Sequence, residues 1–224
     1  MSSLPTVPPA SRLDHVWFEL TGGHAKAVSI LVGHLGWVGA GRAAAGLARR
    51  QLFADPFRDL PSPPSDDVGA WLSRRQLLPV LLLDDALQQY LGLTRERAHA
   101  VLGDLVADVG AVLLKRRFPA LAPEAWADAA PDTREAVVRR VFARLGNIAA
   151  ADVRSGDDWV ALDVKGCTFV ALCQAVGKPE LAPLFCAADG RFFDRPDAPV
   201  TLERTTTLAQ GGPCCDFRFS LRDP

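Results

Sequence analysis

Apolar positions recur at three- and four-residue spacing over most of the chain, and at two-residue spacing only near its end. Between Ala25 and Leu52, Val28, Leu31, Leu35, Val38 and Ala45 fall near helical spacing. Between Thr94 and Lys115 the stripe is Ala98, Val101, Leu105, Val109, Val112 and Leu113, and Thr94 can cap that helix because its hydroxyl accepts an orphan first-turn amide. A short helix is predicted over 12–20, broken by Gly22-Gly23. Two helical stretches follow over 68–77 and 79–90, and a further helix begins at Asp132 or Thr133 and stops at Gly146-Asn147. Residues 56–67 and 119–131, rich in proline, read as surface connections.

The period changes after Asp157. Val160, Leu162 and Val164 alternate with Ala161, Asp163 and Lys165, the pattern of a half-buried strand. Cys167 opens a helix whose Phe169, Leu172, Cys173 and Val176 share one face, and residues 179–185 supply a further turn or two that delivers Cys186. Residues 200–208 alternate again. After the turn at Gly211-Gly212-Pro213, residues 214–221 return as a strand, so the simplest topology is an antiparallel hairpin. Helices followed by a β-α-β-β unit predict an α+β fold. Its expected parts are a flexible N-terminus over 1–11, a helical region over 12–150 and an α/β region over 151–224, packed as one unit.

Composition narrows the function classes. Of 224 residues 49% are apolar, enough for a core, and the formal charge of −1 comes from interspersed acids and bases. No basic block suits nucleic acid or an anionic membrane. The most apolar run, 27–48, is interrupted by His34, Arg42 and glycines, so it is read as a buried helix rather than a membrane span. The first nine residues lack the basic and apolar regions of a secretory leader. A cytoplasmic setting is expected, and the odd count of five cysteines suits free thiols there. The expected partners are a small-molecule substrate and at most a second copy of the chain in a homodimer.

The candidate chemistry lies in the last forty residues. Cys186 precedes Asp189 by three, and alternation on the last strand puts Cys215 on the apolar face with Phe217, Phe219 and Leu221. A thiol attacks only as thiolate. A neighbouring carboxylate does not favour that charge, but it can accept and return the proton. Cys186, Asp189 and Cys215 are therefore the expected catalytic groups. Arg204 and Arg191 would stabilise a thiolate or grip a substrate carboxylate through a guanidinium fork, with Thr205 and Cys167 completing the substrate-binding set. Asp216 is expected to pair with Arg218 or Arg204 across the hairpin. Cys173, on an apolar helical face, reads as packing, and Cys214 as a residue without function. Cys167, Cys186 and Cys215 could converge on a metal, but no Cys-x-x-Cys pair occurs and no histidine follows His99. No metal and no cofactor is expected. Neither a phosphate loop nor a dinucleotide fingerprint is present. The non-enzymatic alternative is a small-ligand-binding domain, or one whose cysteines sense redox state or metal.

Three separated motifs carry a resemblance. Gly177-Lys178-Pro179-Glu180-Leu181-Ala182-Pro183-Leu184-Phe185-Cys186-x-x-Asp189, then Glu203-Arg204-Thr205-x-Thr207-Leu208-Ala209-x-Gly211, then Cys215-Asp216-Phe217-Arg218-Phe219, resemble the L-2-amino-thiazoline-4-carboxylate hydrolase family over about residues 158–221. The helical half carries no motif matched to that family. The resemblance implies a helical half preceding an α/β part, and hydrolytic opening of a cyclic amidine thioether to an N-carbamoyl cysteine. Cys186 would attack with Asp189 as proton shuttle, or Asp189 would activate water; Cys167 stands where the family is expected to have a cysteine. Cys186-Ala187-Ala188-Asp189 followed by Cys214-Cys215 also resembles alkylmercury lyase, which cleaves carbon–mercury bonds, although the intervening segment is shorter and Asp216-Phe217-Arg218-Phe219 departs from its pattern. Fold does not fix substrate, and a sulfur- or nitrogen-containing biosynthetic intermediate fits the same chemistry.

Overall fold

The computed structural model describes residues 6–118, 126, 128–156, 159–198 and 200–221. Most of the expected 119–131 connection, and the start of the expected flexible N-terminus, lie outside the described residues. The fold is α+β. Its helical half comprises α1 (Arg12–Phe18), α2 (His24–Phe53), α3 (Val68–Gln89), α4 (Arg95–Arg117) and α5 (Pro131–Ala143). Then come β1 (Ile148–Ser155), β2 (Trp159–Cys167), α6 (Thr168–Ala175), α7 (Ala182–Phe193), β3 (Val200–Glu203) and β4 (Cys215–Leu221).

Several local expectations hold and others need correction. Thr94 caps α4 by accepting from the Arg97 amide at 3.3 Å. Gly22-Gly23 does not break the first helix. A π turn over Glu19–Gly23 carries it into α2, and a Cβ on Gly23 would stand 3.0 Å from the Phe18 ring, so the glycine serves close approach. Pro79 likewise lies inside one continuous α3 instead of dividing two helices; the loss of one backbone donor is tolerated within a helix buried along most of its length. The apolar run in α2 is not a buried helix. Leu31, Ala40, Ala43 and Gly46 face inward while Trp37 and Val38 are exposed, because the helix lies on the outside of α3 and α4. Among the described residues, no helix is long and apolar enough to cross a membrane.

The sheet is antiparallel, ordered β1-β2-β4-β3. The hairpin partners β3 and β4 do pair, and Val160, Leu162 and Val164 on β2 are buried as their alternation predicts. The unit is not β-α-β-β, since β1 precedes it. That strand escapes a pattern reading because it is an edge strand in which only Val153 is buried. The strand read over 200–208 ends at Glu203, where the backbone leaves the sheet to meet Asp216. One apolar cluster joins α2, α3, α4 and α6; a second joins the sheet to α5, α7 and the end of α4.

The helical half positions the site mainly through α4 against α7. A Cβ added to Gly110 would lie 2.5 Å from the Ala188 Cβ, a rigid group that can yield only if a helix moves. Gly110→Val should therefore lower stability by about 1–3 kcal/mol, read as an earlier midpoint in urea; an unchanged midpoint would mean that α7 does not depend on this contact.

Candidate active site

The antiparallel pairing of β2 with β4 sets two thiols at one end of the sheet. Val164 lies opposite Cys215, the first residue of β4, and Cys167 closes β2 three residues later. The Thr168 amide donates to the Asn147 carbonyl at 2.8 Å, which holds the start of β1 beside Cys167. Across this end runs α7, with Pro183 in its first turn. Cys186 and Asp189 are one turn apart on it and so share a face. The expected delivery of Cys186 by a preceding helical turn is thus corrected: the residue lies within α7, after a short 3₁₀ turn over Pro179–Leu181. Cys167, Cys186, Cys215 and Asp189 all line one cavity of about 60 Å³.

Arg204 binds this group together from outside the cavity. One guanidinium nitrogen donates to Asp189 Oδ2 at 2.7 Å and the other to the Cys186 carbonyl at 3.1 Å, while the planar group lies over the Phe217 ring. These two bonds use one N–H from each terminal nitrogen and tie the guanidinium to α7. Cys215 Sγ accepts from the Leu208 amide at 3.2 Å. Asp216 does not pair with Arg218 or Arg204 as expected. It accepts from the Thr205 and Thr206 amides at 3.0 and 2.7 Å and from the Thr205 hydroxyl. Slight burial opposes its charge, but these donors outweigh it and hold the carboxyl below its usual range. Thr205 thus shapes the loop and does not line the cavity. Arg191 is also elsewhere: it pairs with Asp104 and Asp108 on α4, both at 3.3 Å.

Electrostatics do not favour a resting thiolate. Burial, reinforced by Asp189 and opposed by Arg204, pushes the Cys186 thiol up to about 12. Burial also raises Cys167 and Cys215, against amide donors that pull the other way. Asp189 is raised to about 6, by burial that exceeds the pull of its Arg204 partner. A carboxyl in that range is poised to take or give a proton near neutral pH. Cys173 is fully buried, in keeping with packing. Among the described residues, no group of three His, Cys, Asp or Glu is arranged to hold a metal ion.

A model of the L-2-amino-thiazoline-4-carboxylic acid hydrolase family matches residues 74–219. The chain belongs to this family. The match reaches back into α3, so the helical half from residue 74 onward carries the family pattern although no motif there was legible in one sequence. No curated protein and no solved structure matched the chain. Pattern reasoning also missed Asn147, read only as a helix stop. It lines the cavity, and its buried Oδ1 has no hydrogen-bond partner among the described residues. No spacing signal could have found it, since it reaches the site through β1.

The raised carboxyl has a signed consequence for stability. Between its unfolded value near 3.8 and its folded value near 6, the native state binds a proton that the unfolded chain has lost, so Asp189 reduces stability as pH rises through this window. Stability of the wild type relative to Asp189→Asn should fall by about 2–3 kcal/mol between pH 4 and pH 7. A pH-independent difference in urea unfolding would contradict the assignment.

Proposed function

We propose that this protein hydrolyses a carbon–sulfur or carbon–nitrogen bond of a small cyclic amidine thioether, with Cys186 as nucleophile and Asp189 as proton shuttle. The observation that carries this reading is the convergence of Cys186, Asp189, Cys215 and Cys167 on one cavity, in a chain whose family is named for a hydrolase. Because the thiol is neutral at rest, it must lose its proton as it attacks. Asp189, ionised above about pH 6, accepts that proton as Sγ bonds to the ring carbon between nitrogen and sulfur. The ring carbon–sulfur bond then breaks, and its sulfur leaves with the proton returned by Asp189. Water attacks the resulting isothiourea on Cys186, expels the thiol and leaves a ring-opened urea. Substrate plus water thus equals product, and the enzyme is regenerated.

A cationic amidinium beside Cys186 would also favour the thiolate through its charge. Arg204 acts as a positioning residue that holds Asp189 and the α7 backbone. Cys215, fixed by the Leu208 amide, and Cys167 line the walls against which the ring would rest.

Incubation with 2-amino-2-thiazoline and its 4-carboxylate, with ring opening followed by release of thiol, tests the reading. Cys186→Ser should lower turnover at least 100-fold with an unchanged urea midpoint. Near-normal turnover in that variant would remove the covalent step and leave Asp189-activated water. No ring opening by the wild type, with any member of a cyclic amidine panel, would contradict the proposed reaction class.

A further inference from the structure

The catalytic cavity, at about 60 Å³, is far smaller than the roughly 300–1,000 Å³ that encloses a whole small-molecule ligand. Beside it lies a second chamber of about 270 Å³, and both are lined by Leu145, Asn147, Phe169, Phe185 and Asp189. Phe169 and Phe185 stack with centroids 4.2 Å apart at this junction. The chamber is walled largely by hydrocarbon from α2, α3 and α4, including Leu31, Val80, Leu83, Leu105, Val109 and Leu113. Of its charged lining groups, Glu19 and Arg75 are already joined by a two-point ion pair.

Charge then restricts the substrate. Among the described residues lining the catalytic cavity there is no Lys, Arg or His, and Arg204, outside that lining, donates from its terminal nitrogens to Asp189 and the Cys186 carbonyl. A free carboxylate on the reacting ring would enter an apolar cavity beside Asp189 with no cation to meet it, an expensive desolvation. An uncharged substituent carries no such cost and gains from the chamber. Leu31, with Phe18, Ala27 and Leu47 of the same chamber, lies before residue 74 and so outside the stretch that matches the family.

We propose that the natural substrate is amphipathic: a hydrolysable cyclic head in the Cys186–Asp189 cavity, bearing an uncharged apolar substituent that occupies the chamber between α2, α3 and α4. Asn147, whose unpartnered Oδ1 is at the junction, accepts a hydrogen bond from an N–H of the head. This inference rests on the hydrolytic reading of the same site.

The test compares kcat/KM for 2-amino-thiazoline-4-carboxylate with its methyl-, butyl- and octylamides. The amides should exceed the carboxylate, with a gain of about fourfold per added methylene until the chamber is full. Val109→Phe and Leu105→Phe, two independent fillings of the chamber at half-buried positions, should each collapse the octyl-to-methyl ratio towards one. An octylamide no better than the methylamide, or a chain-length gain that survives both substitutions, would overturn the chamber assignment while leaving the hydrolase reading intact. If no compound is turned over, the hydrolytic reading falls and calorimetric titration of the octylamide decides the chamber. Tighter binding than the methylamide, weakened by Val109→Phe, supports it; equal affinities overturn it.

Discussion

Asp189 is a carboxylate sunk between a helix and a sheet, and its guanidinium partner Arg204 ties three segments together. Arg204 reaches it from the stretch after β3, takes the Cys186 carbonyl with its other nitrogen and lies over Phe217 of β4. Leaving either ion buried without the other would cost several kcal/mol. The pair therefore fixes where α7 lies on the sheet and so where Cys186 points. Asp216 makes this possible from the other side, since its bonds to the Thr205 and Thr206 amides turn the chain out of β3 directly after Arg204. Burial also gives Asp189 its chemistry: the apolar surroundings that make its charge expensive bring its titration into the neutral range.

The same burial separates two roles that a sequence reading merges. A low-pKa thiolate suits a site near solvent beside cations, whereas Cys186 has a carboxylate neighbour and hydrocarbon walls. In the proposed reaction Cys186 and Asp189 therefore act as one proton-sharing unit. Arg204 carries the same logic to positioning, because its two terminal nitrogens join Asp189 to the Cys186 carbonyl on one turn of α7.

Alternation and motif spacing were enough to read the chemistry-bearing strands. Val160, Leu162 and Val164 are buried together, Cys215 shares its face with Phe217 and Phe219, and Cys186 and Asp189 stand one turn apart. What stayed hidden depends on contacts between distant segments. Edge strand β1 buries too little to alternate, and Asn147 reaches the cavity only because β1 begins beside Cys167. Arg191 has the residue type and proximity in sequence expected of a site group, yet helical geometry turns it towards α4. Thr205 is adjacent to Arg204 and serves the loop instead. The chamber is equally invisible in sequence, since its walls come from separate helices whose apolar stripes read simply as core.

The most direct test of the coupled thiol–carboxylate unit is the pH dependence of Cys186 alkylation by iodoacetamide in the native protein, mapped by peptide mass spectrometry. The account predicts slow labelling at neutral pH, with an apparent pKa well above the free-cysteine value of about 8.5. Rapid labelling at neutral pH with an apparent pKa below that value would contradict it, because Cys186 would then be a resting thiolate that needs no proton acceptor.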